Sequence, residues 1–218
     1  MNQLIFKFPF KTSYFKKDFF VSSNNFEAYK LIESWPEWPD KKINIFGPSG
    51  CGKTHLVRIL SKRIKLLSVE ANQFNENVNN AIQKYDCIVI ENYSANINEE
   101  LLYSTLNQVV QLNKSIIINS LTNIKKLNVK LIDLKSRLNS FMEMQTDLPT
   151  DELLKVIILK TFSDKQVQLT NRNLEFIIKN IERSYEKISK FTKDIDNLSL
   201  STGKSININL IKKVLENE

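Results

Sequence analysis

Apolar residues along this chain fall into two patterns. Short apolar runs at 43–46, 66–69, 87–90, 115–118 and 141–144 alternate with stretches in which apolar residues recur every three or four positions. The run Cys87-Ile-Val-Ile90 is continuous, and so is Ile116-Ile-Ile118. Continuous apolar runs of this length suit strands buried on both faces of a parallel sheet. Between them the spacing predicts helices. One follows a Ser/Asn cap inside 18–34, with Phe26, Tyr29, Leu31 and Ile32 inward, and ends at Trp35-Pro36 because a residue before proline resists the α conformation. Another carries Leu56, Ile59, Leu60 and Ile64 on one face; further helices run up to Lys84, over 98–113 and over 131–138. Strands alternating with helices imply an α/β fold with a five-stranded parallel sheet.

The pattern changes at Leu148-Pro149-Thr150. Beyond it the spacing is helical only, at 151–163, 171–181, 184–198 and 207–216, with 167–169 as a connector. Asp151 and Glu152 fall in a first turn, where negative charge suits the helix dipole. The expected organisation is an extended arm over 1–11, an α/β base over 12–147 and a small C-terminal α-helical lid over 148–218.

Composition narrows the class without naming it. The chain has 218 residues, 42% hydrophobic and 25% charged, as globular proteins do. No apolar run approaches the roughly 18 residues that a membrane helix needs. The apolar N-terminus has Lys7 in its middle and lacks the order of a signal peptide, so a cytoplasmic protein with no membrane partner is expected. Cys51 and Cys87 have neither metal-type spacing nor a disulfide context. His55 is the only histidine and reads as a first-turn helix residue, which argues against Ser-His or His-metal chemistry. The net charge of +7 is uneven: residues 114–137 hold Lys114, Lys125, Lys126, Lys130, Lys135 and Arg137 against Asp133 alone. Such a stretch either steers an anionic partner or is the solvated surface of a Lys-rich protein.

One motif organises the rest. Gly47, Pro48, Ser49, Gly50, Cys51, Gly52, Lys53 and Thr54 fit G-x-x-x-x-G-K-S/T between a strand and a helix. Backbone N–H groups of such a loop cradle phosphates, the lysine reaches the β/γ-phosphates and the hydroxyl meets Mg²⁺. The bland alternative is a Gly/Ser loop without a ligand. ATP hydrolysis at such a loop also needs an acidic residue ending a buried strand and a carboxylate to activate water. Glu91 follows the run 87–90 and fits the metal; Asn92, next in line, is an amide and cannot take a proton near neutral pH. The sequence thus predicts nucleotide binding with slow or absent hydrolysis by this chain alone.

GPSGCGKT, CIVIEN, the segment LKSR (134–137) and the helical tail together resemble the AAA+ ATPases, within them the DnaA branch, and within that branch the short Hda-type proteins. FFVSSNNFEA is similar to the branch's adenine-side segment, SIIINS to its sensor 1 strand, and WPEWP to alphaproteobacterial members. The resemblance implies ADP or ATP with Mg²⁺ as cofactors. Gly47 to Thr54, His55, Phe20, Val21 and Asn25 would hold the nucleotide, and Thr54 and Glu91 the metal. It implies that Arg137 is an arginine finger acting in trans on the ATP of DnaA, rather than a helix-terminal arginine meeting carbonyls. Gln3, Leu4, Ile5, Phe6 and Phe8 resemble the peptide by which Hda-type proteins bind the DNA polymerase III β sliding clamp. The alternative is an arm folded on its own base. DNA would be contacted mainly indirectly, and a homodimer is left open. The implied activity is negative regulation of replication initiation; the alternative is a small DNA-stimulated ATPase such as a DnaC-type helicase loader. Where the family carries an Asp after the sensor 1 strand, Leu121 aligns, with Asn119 and Ser120 the nearby polar candidates. The sensor 2 arginine aligns at Glu186, one turn after Arg183.

Overall fold

The computed structural model describes residues 21, 24–94, 97–164, 167–183, 185–203 and 205–216. They divide between Asp147 and Leu148 into two compact units.

The first unit alternates helices and strands: α1 (Phe26–Glu33), β1 (Lys42–Phe46), α2 (Lys53–Leu60), β2 (Leu66–Glu70), α3 (Glu76–Ala81), β3 (Cys87–Tyr93), α4 (Glu99–Gln111), β4 (Ser115–Ser120), α5 (Ile132–Asn139) and β5 (Met142–Gln145). The five strands pair in parallel in the order β2-β3-β4-β1-β5. The apolar runs become strands because both faces of the sheet are covered. Every residue of β4 is buried, and Cys87, Ile88, Val89 and Ile90 are wholly inaccessible. Successive side chains leave opposite faces. Ile88, Ile90, Ile116 and Ile118 therefore join one apolar cluster with Leu102, Leu106 and Leu134, while Cys87, Val89, Ile117, Ile43 and Ile45 join another with Ala28, Ile32, Leu56 and Leu60.

Asn44 interrupts the apolar centre of β1 yet is fully buried. Its amide donates to the Ile118 carbonyl and the Ser120 hydroxyl (both 2.9 Å), and its oxygen accepts the Ile124 N–H at 3.2 Å. Those bonds fasten β1 to the loop that follows β4. At the far end of β4, Lys41 Nζ donates to the Asn113 side-chain oxygen at 2.7 Å.

Two local expectations change. Phe26, expected inward, is 47% exposed. Helix α1 buries Ala28, Leu31 and Ile32, and a residue two positions before Ala28 lies on the far side of that stripe. The helix expected to reach Lys84 ends as α-helix at Ala81 and tightens into a 3-10 turn over Ile82–Lys84, a common way for a helix to finish.

The second unit is helical among its described residues: α6 (Asp151–Asp164), α7 (Asn171–Asn180), α8 (Tyr185–Thr202) and α9 (Ile208–Leu215). Thr150 Oγ1 accepts the Leu153 N–H at 3.3 Å, and Thr170 and Asn207 cap α7 and α9 through their side chains. Leu154, Ile158, Ile177, Phe191, Ile195 and Ile211 are among the residues of its separate core.

Candidate functional site

The phosphate loop is the turn between β1 and α2, and its glycines are dictated by geometry. A Cβ at Gly47 would stand 2.2 Å from both the carbonyl oxygen and the hydroxyl of Thr146. Gly52 precedes α2 with φ 98°, in the left-handed region that side chains rarely adopt. No side chain caps this helix start and no acidic residue lies in its first turn. The start of α2, with the dipole behind it, is therefore suited to an anion. His55 lies half-buried in that first turn, as its position in the sequence predicts.

Lys53 is 8% exposed and folds back into the loop. Its ammonium donates to the Gly47 carbonyl at 2.8 Å, the Pro48 carbonyl at 3.0 Å and the Cys51 sulfur at 3.4 Å, which uses its three donors. An anionic phosphate oxygen would attract the ammonium more strongly than these neutral acceptors do.

Across the loop, Glu91 follows the wholly buried run 87–90 of β3 and is 4% exposed. Its Oε2 accepts from Asn119 Nδ2 at 2.9 Å and from Thr54 Oγ1 at 3.1 Å. Burial pushes its carboxyl above the usual range; the Asn119 and Thr54 bonds oppose that, Glu70 adds to it and Lys53 counters. Glu91 Oε1 and Asn119 Oδ1 are buried without a donor among the described residues. A hydroxyl, a carboxylate and an amide oxygen form a hard-oxygen set, and two orphaned acceptors in it suit a Mg²⁺ that keeps most of its waters. Thr54 and Glu91 would hold that ion.

The amide that reaches Glu91 is Asn119, inside β4, whereas Leu121 is 62% exposed. Of the polar candidates near that turn, the structure brings Asn119 to Glu91: the two sit on neighbouring strands with their side chains meeting, and the chain leaves the strand after Ser120. Ser120 is occupied with Asn44 and the Thr122 carbonyl. Asn92 has φ 55°, is exposed, and donates from Nδ2 to Glu70 Oε2 at 2.9 Å.

Thr146 had no signal in the sequence. It follows β5, is buried, donates to the Phe46 carbonyl at 3.1 Å and lies 2.8 Å from Cys51 Sγ. The next residue, Asp147, exchanges backbone and side-chain bonds with Asn24. Asn25, 3% exposed, caps the start of α1 beside it, so the segment entering α1 is tied to the strand whose end packs against the loop. Val21 is half-buried outside regular structure. Phe20 and the arm residues Gln3, Leu4, Ile5, Phe6 and Phe8 lie outside the described residues.

Arg137 is at the other end of the sheet. Leu134 and Leu138 anchor α5 in the core, and Glu99 accepts the N–H groups of Lys130 and Leu131 ahead of it. Ser140 donates to the Arg137 carbonyl at 2.7 Å and accepts from Lys42 Nζ at 3.1 Å. Lys42 opens β1 and Gly47 follows its last residue, so the strand's length, roughly 15 Å at about 3.3 Å per residue, lies between them. The Arg137 side chain is exposed, and its guanidinium bonds to no described residue. In the helical unit, Arg183 pairs with Asp151 at 2.9 Å; the Glu186 side chain lies outside the described residues. No described helix is long and apolar enough to cross a membrane.

No family model matches the chain. It is 25% identical over 244 aligned residues to the chromosomal replication initiator protein DnaA of Buchnera aphidicola, covering 99% of this chain and 53% of that protein. An uncharacterised protein of Haemophilus influenzae is also 25% identical, over 78% of this chain and 80% of its own length. The chain spans about half the length of the DnaA proteins that it matches. Among solved structures, domain III of Thermotoga maritima DnaA superposes with a TM-score of 0.79 at 19% identity, covering 96% of this chain and 98% of that domain. AMPPCP-bound DnaA from Aquifex aeolicus gives 0.69 at 18% identity, over 87% of this chain and 67% of that one. The sequence is thus similar to DnaA along nearly its whole length, and the fold is that of the DnaA-type AAA+ domain.

Proposed function

We propose that this chain is a nucleotide-binding regulator of replication initiation of the Hda type, which promotes hydrolysis of the ATP held by DnaA while bound to the sliding clamp. The observation that carries the reading is a division of chemistry. At one end of the sheet, Lys53, Thr54, Glu91 and Asn119 form a cradle suited to a nucleotide and a cation, with an amide where the water-activating carboxylate belongs. At the other end Arg137 offers a guanidinium that bonds to no described residue. The Arg137 carbonyl is linked through Ser140 to Lys42, at the end of β1 remote from the loop, so a nucleotide that the guanidinium reaches would belong to a neighbour.

The likeness to AMPPCP-bound DnaA supports ADP or ATP as the ligand. Lys53 would turn from the Gly47 and Pro48 carbonyls to the phosphates, and Thr54 and Glu91 would hold Mg²⁺. The ion supplies charge neutralisation at the phosphate oxygens. Arg137 would enter the partner's site and stabilise charge on the transferring phosphoryl group, an effect of about 10³–10⁵ in rate in other systems. Gln3, Leu4, Ile5, Phe6 and Phe8 bind the β clamp, with Gln3 as hydrogen-bonding group and the apolar side chains as anchors. DNA is engaged mainly through that clamp, and the protein is cytoplasmic.

The test is ATP hydrolysis by ATP-loaded DnaA, with and without this chain and DNA-loaded clamp. Acceleration that needs the clamp, and that is lost in the variant with both Gln3→Ala and Leu4→Ala, is expected; no acceleration refutes the reading. A carboxylate near Asn92, that of Glu70, favours the second reading of a DnaC-type loader with its own ATPase. Strong DNA-stimulated turnover without DnaA would decide for it.

A further inference from the structure

Position 92 carries an amide, but a carboxylate is within reach from the neighbouring strand. Glu70 is the last residue of β2 and the register partner of Glu91. Its Oε2 accepts from Asn92 Nδ2 at 2.9 Å, so the Glu70 carboxylate ends where the side chain of residue 92 ends. Asn92 sits at φ 55° next to a register shift between β3 and β4, which turns its side chain toward β2. Asparagine adopts this backbone conformation at low cost. The Glu70 side chain is exposed, so water has access to its second oxygen. Glu70 is thus one strand away from Glu91, whose Oε2 accepts from Thr54 of the phosphate loop at 3.1 Å.

We propose that Glu70 is the general base of a slow ATP hydrolysis by this chain in cis, with Asn92 as the residue that orients it. The carboxylate and the amide are transposed between β2 and β3. In the step, a water oxygen bonds to the γ-phosphorus as the bond from that phosphorus to the β,γ-bridging oxygen breaks. The electron pair leaves with ADP, the water's proton goes to Glu70, and inorganic phosphate departs. An amide cannot accept that proton; a carboxylate can. The ADP form of the protein is then one it makes itself. The inference stands whether or not the chain acts on DnaA, although it does rest on nucleotide binding at the loop.

Full-length protein is loaded with labelled ATP and Mg²⁺, and ADP formation is followed over hours in a single turnover. Glu70→Gln should slow it by at least about a hundredfold, the low side of what general acid–base catalysis contributes. Affinity for a fluorescent ADP analogue should stay within about twofold. The nucleotide retained on purification should move from ADP toward ATP. Asn92→Glu alone crowds a carboxylate against Glu70 and Glu91 and should not raise turnover. Exchanging the pair, Glu70→Asn with Asn92→Glu, should restore it. Wild-type turnover in Glu70→Gln overturns the proposal. So does the absence of any turnover in a wild-type protein that binds ATP. Loss of binding in Glu70→Gln overturns it too, since that residue would then be holding the loop.

Discussion

Glu91→Gln should make the nucleotide-free protein more stable and its nucleotide complex weaker. Glu91 is 4% exposed, and one of its oxygens has no donor among the described residues. A buried acceptor left unpaired costs about 1–3 kcal/mol, more if charged. The glutamine oxygen can keep the bonds from Thr54 and Asn119, while its amide carries no charge. Burial raises the Glu91 carboxyl above its ordinary 4.5. For a carboxyl raised on folding, the associated stability is present below the unfolded value and is lost as pH rises through the folded one. The variant's advantage should therefore be largest near neutral pH and shrink as the pH falls toward the ordinary carboxyl range. An advantage of about 1–2 kcal/mol corresponds to roughly 2–8 °C in thermal midpoint for a chain of this size. The assay is thermal unfolding of nucleotide-free wild type and variant across mildly acid to neutral pH, repeated with saturating ADP and Mg²⁺. At about a hundred times Kd, ligand should add roughly 2.7 kcal/mol to the wild type, and clearly less to the variant. A variant less stable at neutral pH, or an advantage independent of pH, refutes the reasoning.

Gly47→Ala should abolish nucleotide binding, read by fluorescent ADP titration, because its Cβ meets two Thr146 oxygens at 2.2 Å and the backbone of the loop must move. Overpacking of this kind typically also costs about 1–3 kcal/mol, visible in denaturant unfolding. Asn44→Leu should destabilise the base by about 2–4 kcal/mol, since it leaves the Ile118 carbonyl, the Ser120 hydroxyl and the Ile124 N–H without their present partner. Phe26→Ala should change the unfolding midpoint little, because the ring is half exposed.

The parallel strands were legible because they are buried on both faces and so need no alternation: the Ile run of β4 and the CIVI run of β3 could be little else. The loop was legible because a strand, glycines and a Lys-Thr pair follow each other in sequence. The rest of the site depends on which strands become neighbours. β1 lies between β4 and β5, remote in sequence from both, so nothing local marks Thr146 as the group that Gly47 must clear. Asn119 reads as one more position in a buried strand until β3 and β4 pair and bring it to Glu91. Glu70 looks like a solvated strand end, and only the β2–β3 register brings it to Asn92. The pattern was wrong at Phe26, where the stripe of α1 is narrower than the run of apolar residues suggests.

The central claim is that this chain holds one nucleotide and acts on another. It is tested most directly by hydrolysis of DnaA-bound ATP in the presence of DNA-loaded clamp, comparing wild type with Arg137→Ala. Nucleotide affinity and unfolding of the variant should match wild type, since the guanidinium touches no described residue. Stimulation should fall by about 10³ or to background. Equal stimulation by both proteins would contradict the account.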